Sequence, residues 1–288
     1  MVKTILKLLL SIGIYSLVFV LANAILPFSQ GFRELGSSEN PLSFLFLLII
    51  SAWTCFTIYF IIKNTQLTGN KLFLNTLFIM FFVQYFMTQI ETLFFNTAFQ
   101  VLTRLDVLYI MLAGLFPLLA TIPLLIKFFQ SKKSALEVKA INPKTTTLKL
   151  GIIGILYLCV YMLFGYFVAW QFEELRIFYS GSPEKLSFFG QLLNNIKTNP
   201  VIYPFQIIRG ILFGTAIVIL RNLLPNNKKV FIIAVCLVYL CTAIQLIVPN
   251  PLFPDKVRIA HLLEMASSML LFGIIAGEIL WEKGKAGT

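Results

Sequence analysis

The stretch VFIIAVCLVYLCTAIQLIV, residues 230–248, places nineteen consecutive residues in one apolar run without a charge. Coiled as an α-helix at ~1.5 Å per residue, it is about 28 Å long, close to the ~30 Å hydrocarbon thickness of a bilayer. Lys228 and Lys229 precede it, and Pro249 and Pro251 close it. The run has neither the alternation of a strand nor the polar stripe of a helix lying on a soluble core. Backbone N–H and C=O groups in hydrocarbon must be paired within the chain, and an unbroken helix does that. The segment is therefore read as a transmembrane helix.

Seven more runs of this kind lie along the sequence, at 5–26, 42–62, 72–95, 107–128, 150–172, 201–223 and 257–281. Over all 288 residues, 58% are apolar and 12% are charged, with mean hydropathy +0.88. A soluble chain carries about 25% charged residues to wet its surface. The fold expected is an all-α, polytopic bundle of about eight transmembrane helices forming a single integral membrane domain, 1–288. Pro117 and Pro123 in the fourth run predict a kink there. The first run has a basic start and an Ala22-Asn23-Ala24 stretch resembling a cleavage site, but it is long enough to span and is expected to remain as the first helix. A polar stretch at 129–148, holding Lys132, Lys133, Lys139 and Lys144, suggests a division into four helices plus four.

The formal charge of +11 excludes little by itself. In a membrane protein, Lys and Arg gather in cytoplasmic loops beside anionic headgroups, so membrane lipids rather than nucleic acid are the expected partner. With the N-terminus inside, fifteen of the 23 basic residues fall on the cytoplasmic side and seven outside, with Arg209 in between. Both termini are thus expected in the cytoplasm and the chain in the cell membrane. Cys55, Cys159, Cys236 and Cys241 all lie within apolar runs and read as packing residues rather than a disulfide framework.

The connection before the sixth run has a helical pattern of its own. Ser182-Pro183-Glu184 resembles an N-cap followed by Pro at the first helical position. Leu186, Phe189, Leu193 and Ile196 then recur at helical spacing, predicting a short amphipathic helix in the interface between the fifth and sixth spans.

Ionisable residues within apolar runs cost about 2.5–3.5 kcal/mol each on insertion scales, which makes them the informative positions. In the eighth run His261, Glu264 and Ser268 share a helix face. His261 is the single histidine of the chain. In the sixth run Gln206 and Arg209 share a face, with Arg209 about 12 Å deep. In the third run Gln84, Thr88 and Glu91 follow at i, i+4 and i+7, as one polar stripe. The fifth run ends on Glu173, Glu174 and Arg176. Glu91, Glu173, Arg209, His261 and Glu264 all map to the extracytoplasmic half. They predict a polar pocket open to that side, lined by the third, fifth, sixth and eighth helices. The alternative is an ion pair between Arg209 and a glutamate that only fixes helix packing.

Such a pocket suits binding or translocation of a small anionic solute or lipid headgroup, with Arg209 holding the anion and His261 with Glu264 carrying a proton. The runner-up readings are an intramembrane enzyme acting on a lipid-linked substrate and a non-catalytic receptor or assembly factor. Neither a G-x-S-x-G elbow nor an H-E-x-x-H is present. One histidine with Glu264 and Glu91 is a thin ligand set for zinc, so no metal or other cofactor is expected. Gly210-x-x-x-Gly214 and Gly273-x-x-x-Gly277 allow close helix approach. They are expected to pack against each other within the chain, with homo-oligomerisation as the alternative use.

Overall fold

A computed structural model describes residues 2–36, 42–99, 101–130, 142–249 and 252–281. The elements in chain order are α1 (Val2–Ile25), α2 (Gln30–Gly36), α3 (Ser43–Asn64), α4 (Gly69–Phe81), a π-helical turn (Phe82–Phe86), α5 (Met87–Phe94), α6 (Arg104–Phe129), α7 (Pro143–Phe167), α8 (Glu173–Ser180), α9 (Phe188–Thr198), α10 (Ile202–Leu223), α11 (Lys228–Ile244) and α12 (Asp255–Leu280). Short 3-10 turns follow α5, α7 and α11. Eight of these helical stretches are long and apolar enough to cross a membrane, with α4, the π turn and α5 joined as the third. The chain is an all-α multi-pass bundle, and no strand occurs among the described residues.

Local chemistry sets many helix starts. Thr103 and Asp106 form a capping box on α6, each side chain satisfying the other residue's backbone N–H. Asn142 caps α7, with Pro143 at its first position. Asn227 caps α11. The expected interfacial helix forms as α9, but its start differs from the expectation. Ser187, not Ser182, is the N-cap and accepts from Gly190 N. The Pro183 carbonyl accepts from Arg176 Nε at 2.7 Å, which ties residue 183 to α8 and leaves the helix to begin five residues later. α8 was not foreseen, and it ends on Gly181 in the left-handed region. α6 continues through Pro117 and Pro123 as one helix.

Large apolar side chains such as Leu6, Leu10, Leu17, Ile155 and Leu163 are exposed along the spanning helices, as lipid contact requires. Inside, α1 packs along α6 and α3, α7 along α10 and α12, and α11 along α12 and α3. The first span starts and the last span ends on the same face. There Lys7 Nζ donates to Phe128 O at 3.3 Å, Arg221 Nη1 to Leu280 O at 3.1 Å and Thr65 Oγ1 to Leu223 O at 2.8 Å. This is called the terminal face below. At the opposite, far face, Asp106 accepts from Ser29 N and Oγ, both at 2.8 Å, and Arg258 donates to Leu246 O and Ile247 O. Arginines thus satisfy helix carbonyls at both ends of the bundle. The expected four-plus-four divide at 129–148 falls mostly on residues 131–141, which lie outside the described residues.

The glycine pairs work inside the chain, but not against each other. A Cβ on Gly210 would stand 2.8 Å from Gly154 Cα on α7, and one on Gly214 would stand 2.7 Å from Leu150 Cδ2. Gly273 and Gly277 face Tyr239, Cys236 and Ile232 of α11 instead. The expectation that the two motifs meet is therefore corrected: each serves a different neighbour.

Candidate functional site

Arg209 is the eighth residue of α10, about 10 Å in from the far end of that helix. It is 1% exposed and among the largest fully buried side chains. Its guanidinium meets Glu91 of α5 end-on. Nη1 lies 2.7 Å from Oε1, and Nη2 donates to Oε2 at 2.7 Å. Nη1 also donates to Gln206 Oε1 at 2.9 Å, and Nη2 to the Met87 carbonyl at 3.2 Å. Three rings surround the cation, with Tyr157, Phe205 and Phe213 centroids 5.6, 5.7 and 5.9 Å from Cζ. The Gly154–Gly210 crossing is what brings α7, and with it Tyr157, close enough to cover the arginine.

Two donors in this nest are left over. Arg209 Nε and Gln206 Nε2 are buried and have no acceptor among the described residues. Glu91 is the open edge of the pair, its side chain 24% exposed against 1% for Arg209. Of the two, the carboxylate is therefore the accessible one.

A second group sits on α12. His261 Nδ1 lies 4.0 Å from Glu264 Oε2, and Ser268 Oγ donates to Glu264 Oε1 at 3.4 Å. The other imidazole nitrogen, Nε2, is 3.0 Å from the Tyr179 hydroxyl of α8. Burial, and then the charges of Glu91 and Glu264, push the Tyr179 phenol well above its usual range. It is therefore a neutral hydroxyl, able to donate to or accept from Nε2 according to the imidazole tautomer. Tyr157 of α7 lies over the guanidinium of the first group with Tyr161 beside it, and Tyr179 of α8 contacts the imidazole of the second.

Six of the seven residues singled out from the sequence fall into these two groups: Glu91, Gln206 and Arg209 in the first, His261, Glu264 and Ser268 in the second. Glu173 is in neither, and lies exposed at the start of α8. Its neighbour Glu174 pairs with Lys256 instead. The fifth span contributes Tyr157 and Tyr161, which the sequence reading missed. Their i, i+4 spacing was the available signal, but a phenol within an apolar run reads as apolar. Glu91 commits both oxygens to Arg209, so it does not complete a ligand trio with His261 and Glu264.

The proposed polar stripe of Gln84, Thr88 and Glu91 does not exist as one face. The π turn at Phe82–Phe86 adds a residue to one turn and rotates the two halves of the span relative to each other. Gln84 Nε2 donates to Thr54 Oγ1 at 3.1 Å, while Gln84 O accepts from Gln245 Nε2 at 2.6 Å. Thr88 Oγ1 bonds back to the carbonyls of Gln84 and Tyr85. Glu91 alone turns to α10.

Fold and site together define a multi-pass α-helical membrane protein with a buried, caged arginine–carboxylate pair in one half of its bundle. Comparison with protein-family models, curated proteins and solved structures gave no match.

Proposed function

We propose that this protein binds a small anionic group, a solute or a lipid headgroup, at Arg209 from the far face, and that it carries this group into or across the cell membrane. The observation carrying this reading is the arginine nest: a caged cation deep in a spanning helix, two buried donors without acceptors, and a partly exposed carboxylate as its counter-charge. An arginine at such depth needs an anion, and a bidentate oxyanion matches its fork. The excess of basic residues at the terminal face favours a cytoplasmic location for both termini, so the far face is the outer one. His261, with Glu264 and Tyr179 on its two nitrogens, supplies a proton-carrying group beside the anion.

The test is equilibrium binding of acetate, inorganic phosphate and phosphatidylglycerol to the purified protein in phosphatidylcholine nanodiscs. Binding of one of them that is lost in Arg209→Gln, with helicity and melting behaviour retained, supports the reading. Equal binding by wild type and variant would sink it.

The second reading is an intramembrane enzyme acting on a lipid-linked substrate. It is favoured by the same His261: an imidazole oriented by a carboxylate on one side and a phenol on the other is arranged as a general acid or base. Turnover of a lipid-linked substrate that disappears in His261→Gln would favour it over transport.

A further inference from the structure

Arg209 has one positive charge and already neutralises Glu91. Glu91 holds both Nη groups of the fork, so an oxyanion that binds the guanidinium there must displace it. If the anion displaced an ionised Glu91, the nest would hold the anion and Glu91 against one guanidinium. Uncompensated charge of that kind in a low-dielectric interior is costly by several kcal/mol. Few groups near Glu91 offer a new cation. Its partner is Arg209 of α10, Tyr157 of α7 lies over that guanidinium, and on α12 His261 is held beside Glu264 and the Tyr179 hydroxyl of α8. On α6, Asp106 is turned to Ser29 and Thr103, and Tyr85 of the π turn is hydrogen-bonded to Tyr15.

From this, and resting on the anion-binding reading above, we propose that Glu91 is an internal stand-in for the ligand, and that the anion enters Arg209 only together with a proton that neutralises Glu91. The balance is simple. The Arg209–Glu91 ion pair, the anion and one proton from water at the far face become an Arg209–anion pair and a neutral Glu91 carboxyl. For a singly charged anion, acetate or dihydrogen phosphate, net charge in the nest is the same before and after. The ligand class is an oxyanion presenting two oxygens to the fork, as Glu91 does: a carboxylate or a phosphate. The Glu91 carboxyl, once neutral, can donate a hydrogen bond to the bound anion, and Arg209 Nε and Gln206 Nε2 supply donors that Glu91 leaves unused. Binding and proton uptake are then one event, and an anion moved through this site moves as a neutral pair.

The experiment is calorimetric titration of the protein in phosphatidylcholine nanodiscs with acetate and with inorganic phosphate, in two buffers of different ionisation heat. A parallel set of nanodiscs contains phosphatidylglycerol. Acetate or phosphate binding that phosphatidylglycerol does not block assigns a soluble ligand; displacement by phosphatidylglycerol assigns a lipid headgroup. The expected result is close to one proton taken up per anion, and affinity that falls about tenfold per pH unit as pH rises. In Glu91→Gln, a fixed mimic of the neutral carboxyl, binding is tighter, takes up no proton and loses its pH dependence. Zero proton uptake by the wild type, or an unchanged pH slope in E91Q, overturns the exchange while leaving anion binding standing. No binding of any of these anions by either protein overturns the anion reading and the exchange with it. Should E91Q fail to fold, infrared difference spectra of the wild type decide: a neutral-carboxyl band must appear on anion addition, and its absence overturns the proposal.

Discussion

Gly154 and Gly210 face each other where α7 crosses α10, with so little space that a Cβ on Gly210 would stand 2.8 Å from Gly154 Cα and 3.0 Å from Ile153 O. Backbone cannot give way as a flexible side chain can. Gly210→Ala is therefore expected to force the helices apart and cost about 1–3 kcal/mol. At Gly273 an added Cβ would meet Tyr239 Cδ2 at 3.3 Å and Cys236 Cα at 3.6 Å. Gly273→Ala should cost about 1 kcal/mol or less. Denaturant unfolding of the two variants in detergent gives the comparison, and equal losses would contradict the assignment of the tight crossing to α7 and α10.

The arginine's partner is specific. Glu91 holds both ends of the guanidinium fork, whereas Glu264 turns to Ser268 and His261. A double-mutant cycle between Arg209→Gln and Glu91→Gln should give a coupling of about 2 kcal/mol in unfolding free energy. The same cycle between Arg209→Gln and Glu264→Gln should give under about 0.5 kcal/mol. Each single change at the ion pair leaves a buried group uncompensated, so each single variant is expected to be less stable than the double.

That choice between two glutamates was not legible in the sequence, although the site's depth and most of its members were. Long uncharged runs fix spanning helices because backbone groups have no other partner in hydrocarbon, and the eight runs match eight helices within a few residues except at the fifth, where α7 starts seven residues earlier, at Pro143. Depth follows from counting along a helix, which is why Arg209, Glu91, His261 and Glu264 could be assigned to one half. Which carboxylate reaches the arginine depends on which helices are neighbours and how each is rotated. Here an irregular turn within the third span sets that rotation, and FVQYF carries no glycine or proline to announce it. Ser182-Pro183 misled for a related reason: the sequence fits a helix start, but a bond from Arg176 holds the Pro183 carbonyl outside any helix.

At the far surface, Lys256 is hydrogen-bonded to Glu174 and holds its carboxyl below the usual glutamate range. The folded form therefore favours ionised Glu174. This contribution is present at pH values above the ordinary glutamate range and fades as pH falls through the lowered value of the folded form. Because the pair is exposed, the effect should be small and weakened by salt. The difference in melting temperature between wild type and Lys256→Met should be largest near about pH 7 at low ionic strength and should close towards about pH 3. A difference that widened on acidification would contradict the sign.

Orientation gives a direct prediction. In a cysteine-free background, a single cysteine at Glu184, between α8 and α9, should react with a membrane-impermeant maleimide added to intact cells. One at Asn226, between α10 and α11, should react only after lysis. The reverse pattern would place the arginine nest in the cytoplasmic half and with it the side from which an anion arrives.

The π turn has an implication for how this chain tolerates change in length. It is one residue more than a regular helix needs, held by Gln245 Nε2 on the Gln84 carbonyl. Removing a single residue from 82–86 would let the third span close into a continuous α-helix, still apolar and still long enough to cross the bilayer. Everything on one side of the deletion would turn by about 100° and shift by about 1.5 Å relative to the other. With α4 kept in place, Glu91 would swing off α10 and Arg209 would lose its counter-charge, although neither residue had been touched. Related chains that keep Glu91 and Arg209 but differ here by one residue would be expected to carry a compensating insertion elsewhere in the same helix.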